Sequence, residues 1–122
     1  MIFKKQGLDI YIFKIAIDMR CGFEKLTGFV RSHYGMQKLL DGHVFVFFGN
    51  NRRRVKILFF DGTGLLLLSK RLENGRFQNV MDMEFINLSF SDLEKLLHGS
   101  VLVKGNLGKM PKRASVETTK VI

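Results

Sequence analysis

Three strand-like runs, separated by short polar turns, occupy the middle of the sequence. They span residues 43–48, 54–60 and 65–72, and each is rich in β-branched, aromatic or leucine side chains. Residues 49–52 join the first two runs, and Asp61-Gly62-Thr63-Gly64 joins the last two. An Asp-Gly pair tolerates the positive φ of a tight hairpin turn. Strands joined by turns this short pair antiparallel, so the pattern predicts a three-stranded meander.

A strand and a helix are predicted before the meander. Residues 8–17 are rich in β-branched and aromatic side chains, which indicates a strand. Asp18 then occupies the position expected of a helix N-cap. From there to about Tyr34 the apolar residues recur at steps of three and four, which predicts an amphipathic helix. The members of this stripe are Phe23, Leu26, Phe29, Val30 and Tyr34.

Two more elements are predicted after the meander, which itself ends in an Asn-Gly turn at Gly75. Residues 83–88 have the composition of a further strand. Ser91 and Glu94 have the spacing of a capping box, and Gly99 suits the end of a short helix. The expected fold is therefore α+β: a small, mostly antiparallel sheet of four to five strands, with one longer helix after the first strand and a short C-terminal helix.

A length of 122 residues suits one domain that buries its own core. We expect that domain to span residues 1–100. Residues 101–122 are weakly periodic and basic, and we expect them to form a flexible tail. The tail's charged residues are Lys104, Lys109, Lys112, Arg113 and Lys120 against Glu117.

The charge balance favours a polyanionic partner. Twenty basic residues against eleven acidic ones give a formal net charge of +9. Such a charge attracts nucleic acid, although solubility alone is a second explanation. The only cysteine, Cys21, excludes an internal disulfide, and the three histidines lack metal-ligand spacing, so we expect no metal and no cofactor. Asp9 and Lys14 interrupt the N-terminal apolar stretch, which predicts a cytoplasmic protein without a membrane span.

Much of the positive charge falls on the meander. Residues 51–76 hold seven basic residues against two acidic ones. Arg54 and Lys56 share one face of their strand because side chains alternate. The hairpin then brings Lys70 and Arg71 close to them. The residues themselves leave two interpretations open: a phosphate-binding surface, or a sheet edge kept charged against aggregation.

Three carboxylates stand beside these elements. Asp18, Asp61 and Glu73 could in principle hold metal ions for nuclease chemistry. Each has a structural explanation, as a helix cap for Asp18, a turn residue for Asp61 and a neighbour of basic residues for Glu73. We therefore expect no catalytic residue and no enzyme activity.

Two blocks of the sequence resemble a known family. The first is Asp18-Met19-Arg20 followed by Gly22-Phe23 and Leu26. The second comprises Phe45-Val46-Phe47, the run 50–58, Asp61-Gly62-x-Gly64 and Lys70-Arg71-Leu72-Glu73-x-Gly75-Arg76-Phe77. Across residues 8–105 their order and spacing are similar to those of the small accessory proteins (TnpB, or Orf2-like) of the insertion-sequence 66 class of bacterial mobile elements. This chain departs from the family in its aromatic residues: it has Phe59-Phe60 before the Asp-Gly turn, Ser69 before the Lys-Arg pair, and Gln78-Asn79 after Phe77.

The resemblance implies a non-catalytic accessory protein for DNA transposition, encoded beside a larger transposase that carries the catalytic acids. We expect it to bind DNA, at the ends of the element, through the basic sheet surface. The alternative is an adaptor that docks on the transposase without touching DNA. The expected contact residues are Arg20, Arg52, Arg53, Arg54, Lys56, Lys70, Arg71, Arg76 and Phe77. Asp18, Phe23, Asp61, Gly62 and Gly75 are expected to be structural.

Overall fold

A computed structural model describes residues 9–80 and 88–99. In chain order the elements are strand β1 (Ile10–Phe13), helices α1 (Phe23–Tyr34) and α2 (Met36–Leu40), strands β2 (Val44–Phe48), β3 (Arg54–Phe60) and β4 (Leu65–Arg71), and helix α3 (Phe90–Leu97). This arrangement confirms the predicted α+β class. Residues 81–87 and 100–122 lie outside the described residues, and with them most of the predicted strand 83–88 and the predicted tail.

The described strands form one mixed sheet in the order β1-β2-β3-β4. β2, β3 and β4 pair antiparallel through short turns, as the meander pattern predicted. β1 pairs with β2 in parallel, because α1 and α2 return the chain to the same end of the sheet before β2 begins.

The predicted start of the first helix is wrong. Asp18 is not a cap; its carboxylate instead accepts hydrogen bonds from the backbone N–H and the guanidinium of Arg20. A cap at Asp18 would start the helix at Met19, but α1 begins four residues later, at Phe23. Its N-cap is Gly22, without a side-chain cap. Helix α2 was not predicted from the sequence. It is short and follows Gly35, and the φ of 89° at Gly35 ends α1.

Helices cover both faces of the sheet, and burial is most complete at its centre. Side-chain alternation divides the apolar residues between the two faces. All five residues of β2 are buried. Phe45, Phe47 and Leu58 pack beneath α1 and α2. Val46, Val55 and the other buried residues of the opposite face pack beneath α3. The described part of the chain therefore has three layers, with the sheet in the middle.

Helix α3 has the predicted capping box, but two residues earlier than expected. Ser89, not Ser91, is the N-cap: its hydroxyl accepts from the backbone N–H of Asp92 at 3.0 Å. The Asp92 carboxylate in turn accepts from the backbone N–H of Ser89 at 3.2 Å. Within the described ranges, no helix is long and apolar enough to cross a membrane.

Candidate nucleic-acid interface

A basic groove lies where β3 begins and β4 ends, on the side of the sheet that α1 covers. Two adjoining hollows, of about 620 Å³ and 450 Å³, form it. They share four lining residues, which are Met19, Arg54, Arg71 and Glu73. Arg53 lines the larger hollow and Lys56 the smaller one. We call this feature the basic groove.

The floor of the basic groove contains a pair of arginines on neighbouring strands. Arg54 and Arg71 are direct cross-strand partners and both are exposed. Lys56 lies on the same face of β3, two residues further along. The Arg54 guanidinium has no hydrogen bond or ion pair with the described part of the chain. Like charges directly opposite one another destabilise a sheet, so this placement lowers stability unless an anion is bound.

The loop at residues 17–22 forms the other wall of the groove. It is fixed to the sheet at three points. The Ile17 backbone N–H donates to the Phe48 carbonyl at 2.9 Å. The Lys56 ammonium donates to the Cys21 carbonyl at 2.7 Å. Met19 packs so closely on Gly49 that a Cβ at residue 49 would lie 2.7 Å from the Met19 Cγ. The two sequence blocks that carry the family resemblance thus meet at one site.

Two acidic residues share the groove with the arginines. The Arg71 guanidinium lies 3.4 Å from a carboxylate oxygen of Glu73. Arg53 donates to the main-chain carbonyl of Glu73 at 3.0 Å. On the opposite wall, Arg20 and Asp18 form an ion pair at 2.7 Å, and the hydrogen bonds from Arg20 hold the pKa of the Asp18 carboxyl well below its usual range.

Lys70 lies apart from the other predicted contact residues. Its partner across the sheet is Val55, so its side chain points to the α3 face. There its ammonium donates to the Leu97 carbonyl at 2.9 Å, and burial lowers the pKa of Lys70. Lys70 thereby supports the end of α3, where the last carbonyls of a helix lack partners within the helix.

Four other predicted contact residues are also outside the groove lining, and the first is Arg20, the ion-pair partner of Asp18. Phe77 is 1% exposed, and its ring packs against Phe48 at 5.3 Å between centroids. Arg52 has a φ of 59° in the β2–β3 turn, and its carbonyl accepts from the Phe77 backbone N–H. Arg76 is exposed beside this segment. Phe77 therefore lies in the core, whereas Arg52 and Arg76 lie near the surface of the protein.

The predicted structural residues occupy turns and a helix start. The Asp61 carboxylate accepts from the backbone N–H groups of Thr63 and Gly64, and these bonds lower the pKa of Asp61. Gly62 and Gly75 adopt positive φ. Phe23 opens α1 and is 47% exposed. Within residues 9–80 and 88–99, no group of three histidine, cysteine or acidic residues could hold a metal ion.

Sequence reasoning did not assign Met19 or Gly49 to the site. Met19 belongs to the first block that carries the resemblance, and Gly49 stands in the turn between two predicted strands. Their contact joins residues thirty positions apart in the chain. Periodicity describes local structure, so it contains no signal for such a contact. The only available clue was that a glycine stands immediately after a fully apolar strand.

Comparison with known proteins gives a family and two relatives. The model of the family described as "IS66 Orf2 like protein" matches residues 8–105. Two uncharacterized proteins of Sinorhizobium fredii (strain NBRC 101917 / NGR234) are similar. One, y4hO, is 39% identical over 72 residues, which are 59% of this chain and 62% of the relative. The other, y4jC, is 34% identical over 80 residues, which are 63% of this chain and 65% of the relative.

The chain thus spans less than two thirds of the length of either relative. No solved structure matches it.

Proposed function

The chain belongs to the IS66 Orf2-like family, and from that premise we propose that it is a non-catalytic accessory protein of transposition that binds DNA through the basic groove. Family membership supports the proposed role in the transposition of an insertion sequence. The basic groove supports DNA as the proposed partner. Arg53, Arg54, Lys56 and Arg71 are the groove residues to which we assign DNA contact.

The observation that carries the proposal is the Arg54–Arg71 pair. Two guanidinium groups on directly opposed residues repel each other, and Arg54 has no carboxylate partner in the described part of the chain. A phosphate placed between them accepts hydrogen bonds from both, since guanidinium groups match phosphate oxygens. Bound phosphate would thereby turn a repulsive contact into a favourable one.

The composition of the groove favours recognition of the DNA backbone over the bases. Its lining contains no aromatic ring among the described residues. Proteins that hold single strands commonly stack bases on aromatic side chains. Cationic contacts with phosphate fix position without reading sequence. We therefore propose duplex DNA, held mainly by its phosphates, as the ligand.

The test is a fluorescence-anisotropy titration of a labelled duplex from the element's end. Arg54→Ala/Arg71→Ala should weaken binding about tenfold or more, since hydrogen bonds between charged partners contribute about 1.5–3 kcal/mol each. Arg31→Ala/Lys95→Ala is the matched control, because it removes the same charge from α1 and α3, away from the groove. Thermal melts establish that both variants fold. Equal losses in the two variants would refute the groove as the DNA site.

A second candidate function is that of an adaptor that docks on the transposase. The observation that favours it is the exposure of two neighbouring side chains beside the groove: Arg20 is 90% exposed and Phe23 is 47% exposed. Arginine and aromatic side chains often anchor protein interfaces. Arg20→Ala/Phe23→Ala should abolish co-purification of the element's transposase, and Phe23→Ala alone should reduce it while leaving DNA affinity unchanged, because Phe23 carries no charge. Co-purification that survives both substitutions would count against the adaptor.

A further inference from the structure

We propose that Glu73 is an internal competitor for the phosphate-binding site: its carboxylate occupies Arg71 in the free protein and is displaced when a DNA phosphate enters the groove. This inference rests on the proposed function and adds a means by which binding strength is limited. It assigns to Glu73 a part in ligand binding that neither the charge pattern nor the family match assigns.

The position of Glu73 supports this role. Its carboxylate lies 3.4 Å from the Arg71 guanidinium, and Glu73 lines both hollows of the groove. Both side chains are largely exposed, at 60% for Arg71 and 76% for Glu73. A pair at this distance and exposure is weak and exchanges readily with a stronger ligand.

The main chain of Glu73 is held independently of its carboxylate. The Glu73 carbonyl accepts from Arg53 at 3.0 Å. The next residue back, Leu72, donates its backbone N–H to the Arg53 carbonyl at 2.8 Å. Because these bonds fix the backbone, the side chain can leave Arg71 without any change in the fold. Its departure would free Arg71 to face the same phosphate as Arg54.

The Glu73 carboxylate competes with a DNA phosphate in two ways. A carboxylate and a phosphate compete for the same donors of Arg71, since both accept the paired N–H groups of a guanidinium. The negative charge of Glu73 also repels any phosphate at the Arg54–Arg71 pair, and that repulsion persists after the ion pair has opened. Removal of the charge, with the shape retained, should therefore strengthen DNA binding.

The experiment compares Glu73→Gln with Glu94→Gln in the full chain. Both raise the net charge by one, but Glu94 lies on α3, across the sheet from the groove. With a labelled duplex at fixed salt, Glu73→Gln should bind about two- to fivefold tighter than the unmodified chain, which is the range expected for an exposed ion pair. Glu94→Gln should change affinity by less than about twofold, since exposed charges further than a Debye length are screened.

A double-mutant cycle separates competition from a general charge effect. In an Arg71→Ala background the gain from Glu73→Gln should shrink, because part of the gain passes through Arg71. If the unmodified chain does not bind the duplex at all, the proposed function fails. If it binds, and Glu73→Gln and Glu94→Gln behave alike, the competitor role fails while the groove stands. A gain that is undiminished in the Arg71→Ala background also overturns the role.

Discussion

Gly49 determines how closely the loop at residues 17–22 approaches the sheet. The loop carries Met19, and the thioether chain of Met19 occupies the space where a side chain at residue 49 would begin. The loop also supplies the carbonyl that receives Lys56. A change at this single position therefore affects both the core packing of Met19 and the wall of the basic groove.

We predict that Gly49→Ala lowers the free energy of unfolding by about 1–3 kcal/mol, the usual cost of overpacking a close contact. Its Cβ would lie 2.7 Å from the Met19 Cγ, so Met19 has to move. Gly64→Ala is the matched control, because a Cβ there meets no atom within 4 Å. Urea unfolding followed by circular dichroism measures both. Equal stability of the two variants would show that Met19 moves aside at no cost.

His98 makes stability depend on pH. Both of its ring nitrogens are buried without a hydrogen-bond partner among the residues that the structure describes. Burial together with the charge of Lys70 lowers the pKa of His98 below its usual 6.5. The unfolded chain therefore binds a proton at a higher pH than the folded chain does. Stability from this residue is complete above pH 6.5 and declines as the pH falls below that value. Glu94 opposes the shift, but it is the smallest contribution.

The measurement is the midpoint of urea unfolding between pH 7.5 and pH 5.5. The midpoint should fall with pH in the unmodified chain, and His98→Gln should flatten that fall. His33→Gln, a change at an exposed histidine of α1, is the matched control for the loss of an imidazole. A fall that is equally steep in the His98→Gln variant would assign the pH dependence to other groups.

At the scale of elements, sequence pattern predicted the strands of the meander better than it predicted their surroundings. Alternation and turn chemistry set the register of β3 and β4, which places Arg54 opposite Arg71. The same alternation puts Lys70 on the other face, next to Val55. Charge counted along the sequence grouped Lys70 with the arginines. Only the strand geometry and the position of α3 separate them, and α3 is fixed by long-range packing.

Helix starts show the same limit. Serine and aspartate are common N-caps, but their presence alone does not select the cap. Asp18 is the only such residue near the start of α1, whereas Ser89, Ser91 and Asp92 all stand near the start of α3. At α1 the candidate Asp18 is bound by Arg20 instead. At α3 the cap is Ser89, because its backbone is extended while Phe90 already lies in the helix.

We predict that Ser89→Ala lowers the free energy of unfolding by about 1 kcal/mol, since the backbone N–H of Asp92 then loses its acceptor. Ser91→Ala should be nearly neutral, because Ser91 is exposed in the first turn and alanine is a better helix former. Denaturant unfolding of both variants tests this. A larger loss in Ser91→Ala would restore the cap position that the sequence suggested.

At the scale of the whole molecule, the net charge of +9 and the basic groove act over different distances. Net charge attracts DNA from afar and speeds encounter, whichever face carries it. Counterion release depends on phosphates that are actually neutralised at the contact surface. The two contributions are separable because Lys70 and Arg71 are adjacent in sequence yet lie on opposite faces of the sheet.

Lys70→Ala and Arg71→Ala lower the net charge equally, so they weaken the long-range field to the same extent. We predict that Arg71→Ala also reduces the slope of log affinity against log salt by about 1, the contribution of one phosphate contact. Lys70→Ala should leave that slope unchanged, since its ammonium is bound to the Leu97 carbonyl on the α3 face. Anisotropy titrations between 50 and 200 mM salt, roughly the range over which such slopes are resolved, measure both. Equal slopes in the two variants would mean that net charge alone attracts DNA and that the groove contributes no specific contact.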